Sequence, residues 1–272
     1  MLNNRLTGNR AISAGGILCQ SSSLVIADTV LSGNRASGNG GGFYNSSSSP
    51  TIANCTFSGN SATSGAGLYN AANNPSLTNC VFWGNNGPVI TNGSGGPAVT
   101  YCDVQGGYAG TGNTSSDPRF VRAPGPGAGG TWGTADDDYG DLRLLAGSPC
   151  IDAGKNAAVP AGVVADLDGH GRFFNDPATA DCPFAPGTCG TAAIVDMGAY
   201  EFIAGDYDRD GDLGADDLAV FLTCISGPAV GYAGDCLKAD LDHDGDVDLG
   251  DFGLFQRCYS GANKPVEPNC AN

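Results

Sequence analysis

The first hundred residues repeat with a period close to 25. Asn9, Asn34, Asn60 and Asn85 each follow a glycine, at intervals of 25, 26 and 25 residues. Between them recur GGILC, GGFYN and AGLYN at 15–19, 41–45 and 66–70. LVIADTVLSGN, PTIANCTFSGN and PSLTNCVFWGN follow in the same order, and a degenerate fourth copy, PAVTYCDV, occupies 97–104. A unit this short cannot bury its own apolar face, so repeats of 20–50 residues imply a stacked solenoid or similar array.

The apolar columns say which kind. Ile26, Ile52, Leu77 and Val99 form one column, and Leu31, Phe57, Phe82 and Val104 form a second, five residues on. Strand side chains alternate with period two, so one face is regained only at even separations. The odd separation demands a bend between the columns. Asp28, Asn54, Asn79 and Tyr101 stand there, and three of these four are residue types that tolerate left-handed backbone. Each repeat thus reads as strand, bend, strand, turn, one coil of a parallel β-solenoid. Cys55, Cys80 and Cys102 also fall one coil apart and read as a buried thiol ladder behaving as small hydrophobes. On these columns residues 1–106 resemble the right-handed parallel β-helix family, the pectin-lyase-like fold. Because the opening MLNNRLTGNRA already matches the inside of a repeat, the chain is expected to be the C-terminal part of a longer secreted protein, its signal peptide lost with the missing N-terminus.

Residues 107–203 break the period. DPRF at 117–120, SPCIDAG at 148–154, ADLDG at 165–169 and DMGAYE at 196–201 follow in an order that resembles the cap region of bacterial surface proteins of the "choice-of-anchor Q" type. The physical expectation is a β-rich cap that covers the open strand edge of the solenoid. Asp166 and Asp168 resemble half a calcium loop, but Pro177 stands where a twelfth-position carboxylate would be needed, so these aspartates read as turn stabilisers.

Charge divides the chain sharply. The net charge is −16, yet residues 1–100 hold one carboxylate, Asp28, and thirteen of the remaining 27 lie between Asp206 and Asp251. So acidic a chain argues against nucleic acid and anionic membrane as partners, and no apolar run reaches spanning length. The acidic cluster is ordered. Asp206, Asp208, Asp210, Gly211, Asp212 and Asp217 occupy positions 1, 3, 5, 6, 7 and 12 of a twelve-residue loop. Asp240, Asp242, Asp244, Gly245, Asp246 and Asp251 repeat them 34 residues later, with Asp248 added at position 9. Calcium takes six to eight oxygens, and loops of this form supply them from positions 1, 3, 5, 7 and 12 around a glycine turn at 6. Position 7 needs to offer only its backbone carbonyl, so the Asp212 and Asp246 side chains are dispensable as ligands. Two Ca²⁺ ions are therefore expected. Leu213 and Val247, at position 8, are expected to bridge the loops as a two-residue ladder.

Leu218, Phe221, Leu222 and Ile225 after the first loop, and Phe252, Phe255 and Tyr259 after the second, carry the spacing of a one-faced helix. Each run ends in Cys-Xaa-Ser-Gly, and no amphipathic run precedes the first loop. This duplicated loop–helix unit with Asp at position 12 resembles the dockerin type I family over 206–261. The resemblance implies docking to a cohesin-like or other surface protein, through loop positions 10 and 11 and exposed helix faces: Ala215, Asp216, Thr223, Leu249, Gly250 and Arg257. Positions 10 and 11 carry Ala215 and Asp216 in the first loop and Leu249 and Gly250 in the second, where cohesin-binding dockerins often carry hydroxyls, which leaves the partner open.

Eleven cysteines suit an oxidising, extracellular or cell-surface location. Equal spacing pairs Cys224 with Cys236 and Cys258 with Cys270, and Cys182 with Cys189 close a short loop. Cys19, Cys55, Cys80, Cys102 and Cys150 remain, an odd five. As to catalysis, glycoside hydrolysis needs paired carboxylates and residues 1–100 offer one, while β-elimination needs a base and no lysine precedes Lys155. The chain is read as mainly β and non-catalytic: solenoid coils over 1–106, a cap over 107–203, and a small α-helical calcium-binding, dockerin-like module over 204–272. The alternative is a docked polysaccharide-degrading enzyme whose active coils lie upstream, and polysaccharide is carried as a further candidate partner.

Overall fold

The computed structural model describes residues 1–130, 132–191, 193–234, 236–268 and 270; the very end of the third expected segment, Asn269 and residues 271–272, lies outside these. The repeats stack as parallel coils, about four turns in all. One sheet is built by Leu2–Thr7, Val25–Ser32, Thr51–Ser58, Val81–Trp83 and Asp103–Val104, with Ser76–Thr78 and Ala98–Thr100 completing the limb before the bend. Ile17–Gln20, Phe43–Ser46, Leu68–Asn70 and Ile90–Asn92 form the second sheet.

Register follows the sequence columns. Ile26 pairs with Ile52, Ile52 with Leu77 and Leu77 with Val99, and Leu31, Phe57, Phe82 and Val104 pair likewise. All are buried, and the Phe57 and Phe82 rings stack at 4.3 Å. At the bend, Asp28, Asn54, Asn79 and Tyr101 have φ of 47°, 48°, 56° and 51°, the left-handed geometry the odd column separation requires. Cys55, Cys80 and Cys102 are fully buried and unbridged. The paired glycines have a steric reason. A Cβ on Gly16 would lie 2.5 Å from the Gly42 carbonyl oxygen, and one on Gly42 would lie 2.7 Å from that of Gly67.

The asparagines that mark the period form a hydrogen-bonded ladder. The Asn34 side-chain amide donates to Asn60 Oδ1 at 3.1 Å and that of Asn60 to Asn85 Oδ1 at 3.0 Å. The same amides donate to the Leu6, Leu31 and Phe57 carbonyls at 2.8 Å. Each Asn thereby satisfies buried backbone at the turn after the strand, where an unpaired group would be costly.

The segment 107–203 covers the last coil with few residues. Thr111 and Thr114 carbonyls accept the Tyr101 and Val104 N–H groups, Thr114 N–H donates to Cys102 O, and Ser116 N–H donates to Asp103 Oδ1. The rest does not sit on the end of the solenoid, as a cap would; it runs back along its side. Lys155 N–H donates to Asn79 Oδ1 at 2.7 Å, Ala199 N–H to Thr56 Oγ1 at 3.0 Å, and Ser32 Oγ to Tyr139 O at 2.7 Å. Asp168 reaches Arg5, 2.6 Å away. The cause is the outward face of the strands. Val30, Thr56 and Val81 point away from the coil interior yet are apolar or small, and the flank buries them under Leu142, Leu144, Ile151, Ile194, Met197 and Ala199. Arg172, fully buried, comes within 3.5 Å of the equally buried Asp28. Asp166 serves as the turn stabiliser expected, its carboxylate accepting the N–H groups of Asp168, His170 and Glu201.

Candidate metal centre

The two acidic loops fold alike, each followed by a ten-residue helix, α1 (Ala215–Cys224) and α2 (Leu249–Cys258). Asp206 Oδ2 accepts Gly211 N–H at 3.0 Å, and Asp240 Oδ2 accepts Gly245 N–H at 3.2 Å. Position 3 accepts the N–H of position 5 in both loops, and position 5 that of position 7. The position-12 carboxylate closes each loop: Asp217 takes the N–H groups of Tyr207, Asp208 and Gly214, and Asp251 those of Leu241, Asp242 and Asp248. Position 6 is glycine because φ there is 90° and 99°, a backbone region side chains avoid.

This folding concentrates carboxylate oxygens. Those of Asp206, Asp208 and Asp210 lie within 4.8 Å of one another, as do those of Asp240, Asp242 and Asp251, and those of Asp246, Asp248 and Asp251. Asp212, Asp217 and Asp244 fall outside these groups. Burial pushes Asp206 up to about 6, against the Gly211 N–H and with help from the Asp217 charge. Asp240 is 3% exposed, and its Oδ1 has no hydrogen-bond partner among the described residues. Crowded carboxylates with an orphaned buried oxygen suit a hard, oxygen-seeking cation, since like charges at this range repel unless one is supplied.

Two expectations need correction. Leu213 and Val247 do not bridge the loops to each other. Leu213 N–H donates to Ser260 Oγ and its carbonyl accepts Ser260 and Gly261 N–H, while Val247 makes the same bonds to Ser226 and Gly227. Each loop is thus tied to the Ser-Gly turn after the other helix, because those turns present two free N–H groups that position 8 can satisfy. The side chains of Asp212 and Asp246 join this tie, accepting the Asn263 and Ala229 N–H groups. Second, the buried helix stripe is narrower than the spacing implied. Asp217, Phe221 and Cys224 are buried, as are Asp251, Phe255 and Cys258. Leu222, Ile225 and Tyr259 are 54%, 50% and 47% exposed. Ile225 and Tyr259 lie past the last helical turn with extended ψ, so the i+7 position never returns to the core.

Disulfides join Cys224 to Cys236, Cys258 to Cys270 and Cys182 to Cys189, the three pairs expected from spacing. The first two tether each helix end to the residues 12 positions on. All six residues considered for partner contact, Ala215, Asp216, Thr223, Leu249, Gly250 and Arg257, are exposed, Leu249 by 83%.

What the sequence reading missed is the setting of this module. Its core continues into the flank: Phe174, Phe202, Ile203 and Ala204 pack with Leu213, Phe221, Phe255 and Val266. Asn175 N–H donates to Pro268 O at 3.2 Å, and the His170 ring sits against Gly211, leaving no room for a Cβ. The run FIAG before the first loop was the available signal, an apolar stretch with no helix of its own.

Residues 1–116 match the family model described as "Right handed beta helix region". No curated protein and no solved structure matches the chain. Among the described residues no helix is long and apolar enough to cross a membrane. The family match and the stacked parallel coils agree, and the N-terminal part of this chain is a right-handed β-helix.

Proposed function

We propose that residues 204–272 form a calcium-dependent module of the dockerin type, mounted on a non-catalytic extracellular β-helix and used for protein–protein docking. The observation that carries this reading is the repetition of one hydrogen-bond set at an offset of 34 residues. Leu213 with Ser260 and Gly261 matches Val247 with Ser226 and Gly227, Asp212 with Asn263 matches Asp246 with Ala229, and position 12 closes both loops identically. A solvated acidic turn has no reason to be built twice with the same glycine geometry and the same closing carboxylate. Asp206, Asp208, Asp210 and Asp217 would hold one ion, and Asp240, Asp242, Asp244 and Asp251 the other, with the position-7 carbonyls adding a ligand each. The ions would neutralise carboxylates that otherwise repel, and this is the chemistry they supply: a charge on which two short helices can fold.

The non-catalytic part rests on the cap carboxylates. Asp152, Asp166, Asp196 and Glu201 are at most 7% exposed, and each is committed to accepting backbone N–H groups. The packing of the module on its own flank favours a second reading, in which it clamps the β-helix side as a structural end-piece while its outward helix faces remain available. Titration calorimetry of calcium into the purified chain tests the metal, with two sites expected and absence of uptake refuting it. Capture of a surface protein by the intact chain, lost with chelator, tests the docking; retention of nothing in calcium leaves the clamp reading in its place.

A further inference from the structure

A cleft opens between the flank and the first acidic loop. Its inner wall is apolar and aromatic, with Leu144, Ile203 and Tyr200 buried and Phe202 and Tyr207 half-buried. Four of the chain's 12 lysines and arginines line it: Arg119, Arg143, Arg209 and Lys238. In a protein of net charge −16, that concentration of cations stands apart from the rest of the surface.

The carboxylates that also line the cleft are already engaged. Asp166 accepts three backbone N–H groups, Glu201 accepts Phe174 N–H and faces Arg172 at 3.6 Å, and Asp206 accepts the Arg209 and Gly211 N–H groups. Asp168 is held by Arg5 at 2.6 Å and by Arg143 at 2.8 Å. Two of the four cations are less fully used. Arg119 gives one bond, to the Gly147 carbonyl at 3.2 Å, and among the described residues no carboxylate pairs with Arg119 or Arg209. Guanidinium groups match a carboxylate through two parallel bonds, and an apolar wall with a few convergent polar groups is the usual form of a small-molecule site.

We propose that this cleft binds a small organic carboxylate with a flat apolar body, its anion held by Arg119 and Arg209, its body lying on Leu144, Tyr200 and Phe202. The test titrates benzoate, benzamide and inorganic phosphate into the full chain in calcium-containing buffer, followed by calorimetry and amide chemical-shift mapping. Benzoate is expected to saturate, with benzamide and phosphate each at least about tenfold weaker. Arg119→Gln should weaken benzoate about tenfold while melting temperature and calcium uptake stay at the parent values. Arg119 is exposed, so its variant tests the site without threatening the fold. Equal affinity for benzoate and benzamide, equal affinity for phosphate, absence of saturation, shifts mapping away from the cleft, or an unchanged affinity in the Arg119 variant would each overturn the proposal.

Discussion

Two aspartates buried against the coils are compensated in different ways. Asp28 lies against Arg172, and burial outweighs that cation, pushing the carboxyl up to about 6. No cation pairs with Asp103 among the described residues; Ser116 N–H and the Cys150 thiol donate to it, and burial pushes it up to about 7. The native state therefore keeps a proton on Asp103 at pH values where the unfolded chain, with a carboxyl near 3.8, has released it. Stability from this group is complete below about pH 4 and declines as pH rises to about 7, by up to about 1.4 kcal/mol per pH unit. Urea unfolding at saturating calcium from pH 5 to 7.5 should show a negative slope that Asp103→Asn reduces; an identical slope in the variant would refute the assignment. In the loops, the second carries Asp248 where the first has Gly214, and leaves Asp240 Oδ1 unpartnered. Asp240→Ala is expected to cost more calcium affinity than Asp206→Ala in titration calorimetry, and the reverse order would count against the tighter second site. The aspartates were legible because the loop grammar names positions. Asp103 was not, since burial of a carboxylate depends on what the flank lays over it.

Among the elements, the turn ladder and the loop ties do work that hydrophobic columns cannot. Asn60→Ala would strand the Leu31 carbonyl and the Asn34 N–H in the interior. Each such orphan costs about 1–3 kcal/mol, so thermal melts should place this variant well below Ser61→Ala, on the half-buried neighbouring position; equal melting temperatures would show the ladder to be dispensable. Phe57→Ala removes a fully buried ring stacked on Phe82 and should cost about 3–5 kcal/mol. The period of the ladder and the order of the columns were plain in the sequence. The narrow helix stripe was not, because Asp217 and Asp251 enter the helices as buried loop closures and shift the core-facing side toward Phe221 and Phe255. A hydrophobic periodicity counts Leu222 and Ile225 as core; the structure leaves both in water.

At the scale of the molecule, the module shares a wall with the flank that lies along the β-helix, through Phe174, Phe202 and Ile203. If calcium sets the fold of the loops, chelation should loosen 206–261 first and the coils far less. Hydrogen exchange is the measurement: amides of α1 and α2 should lose protection in chelator, while those of Thr51–Ser58 keep theirs. At free calcium 100-fold above Kd, each site would contribute about 2.7 kcal/mol by linkage. Uniform loss of protection across both regions would mean that the shared wall transmits unfolding to the coils, and unchanged protection in both would deny the metal its structural role.

The sequence by itself determined the coil. Its 25-residue period, the odd spacing of two apolar columns and the bend residues between them leave one backbone path, since alternation and left-handed tolerance are local properties. The three disulfides and the duplicated loops were likewise local, set by short spacings. Tertiary structure alone decided where the irregular segment lies. Nothing periodic marks 117–203, and its position along the flank depends on Val30, Thr56 and Val81 facing outward, a consequence of stacking rather than of neighbouring residues. The same holds for the ties from each loop to the opposite Ser-Gly turn, made only when the two loop–helix units fold on each other, and for the cleft beside Tyr207, made only when the module folds against the flank.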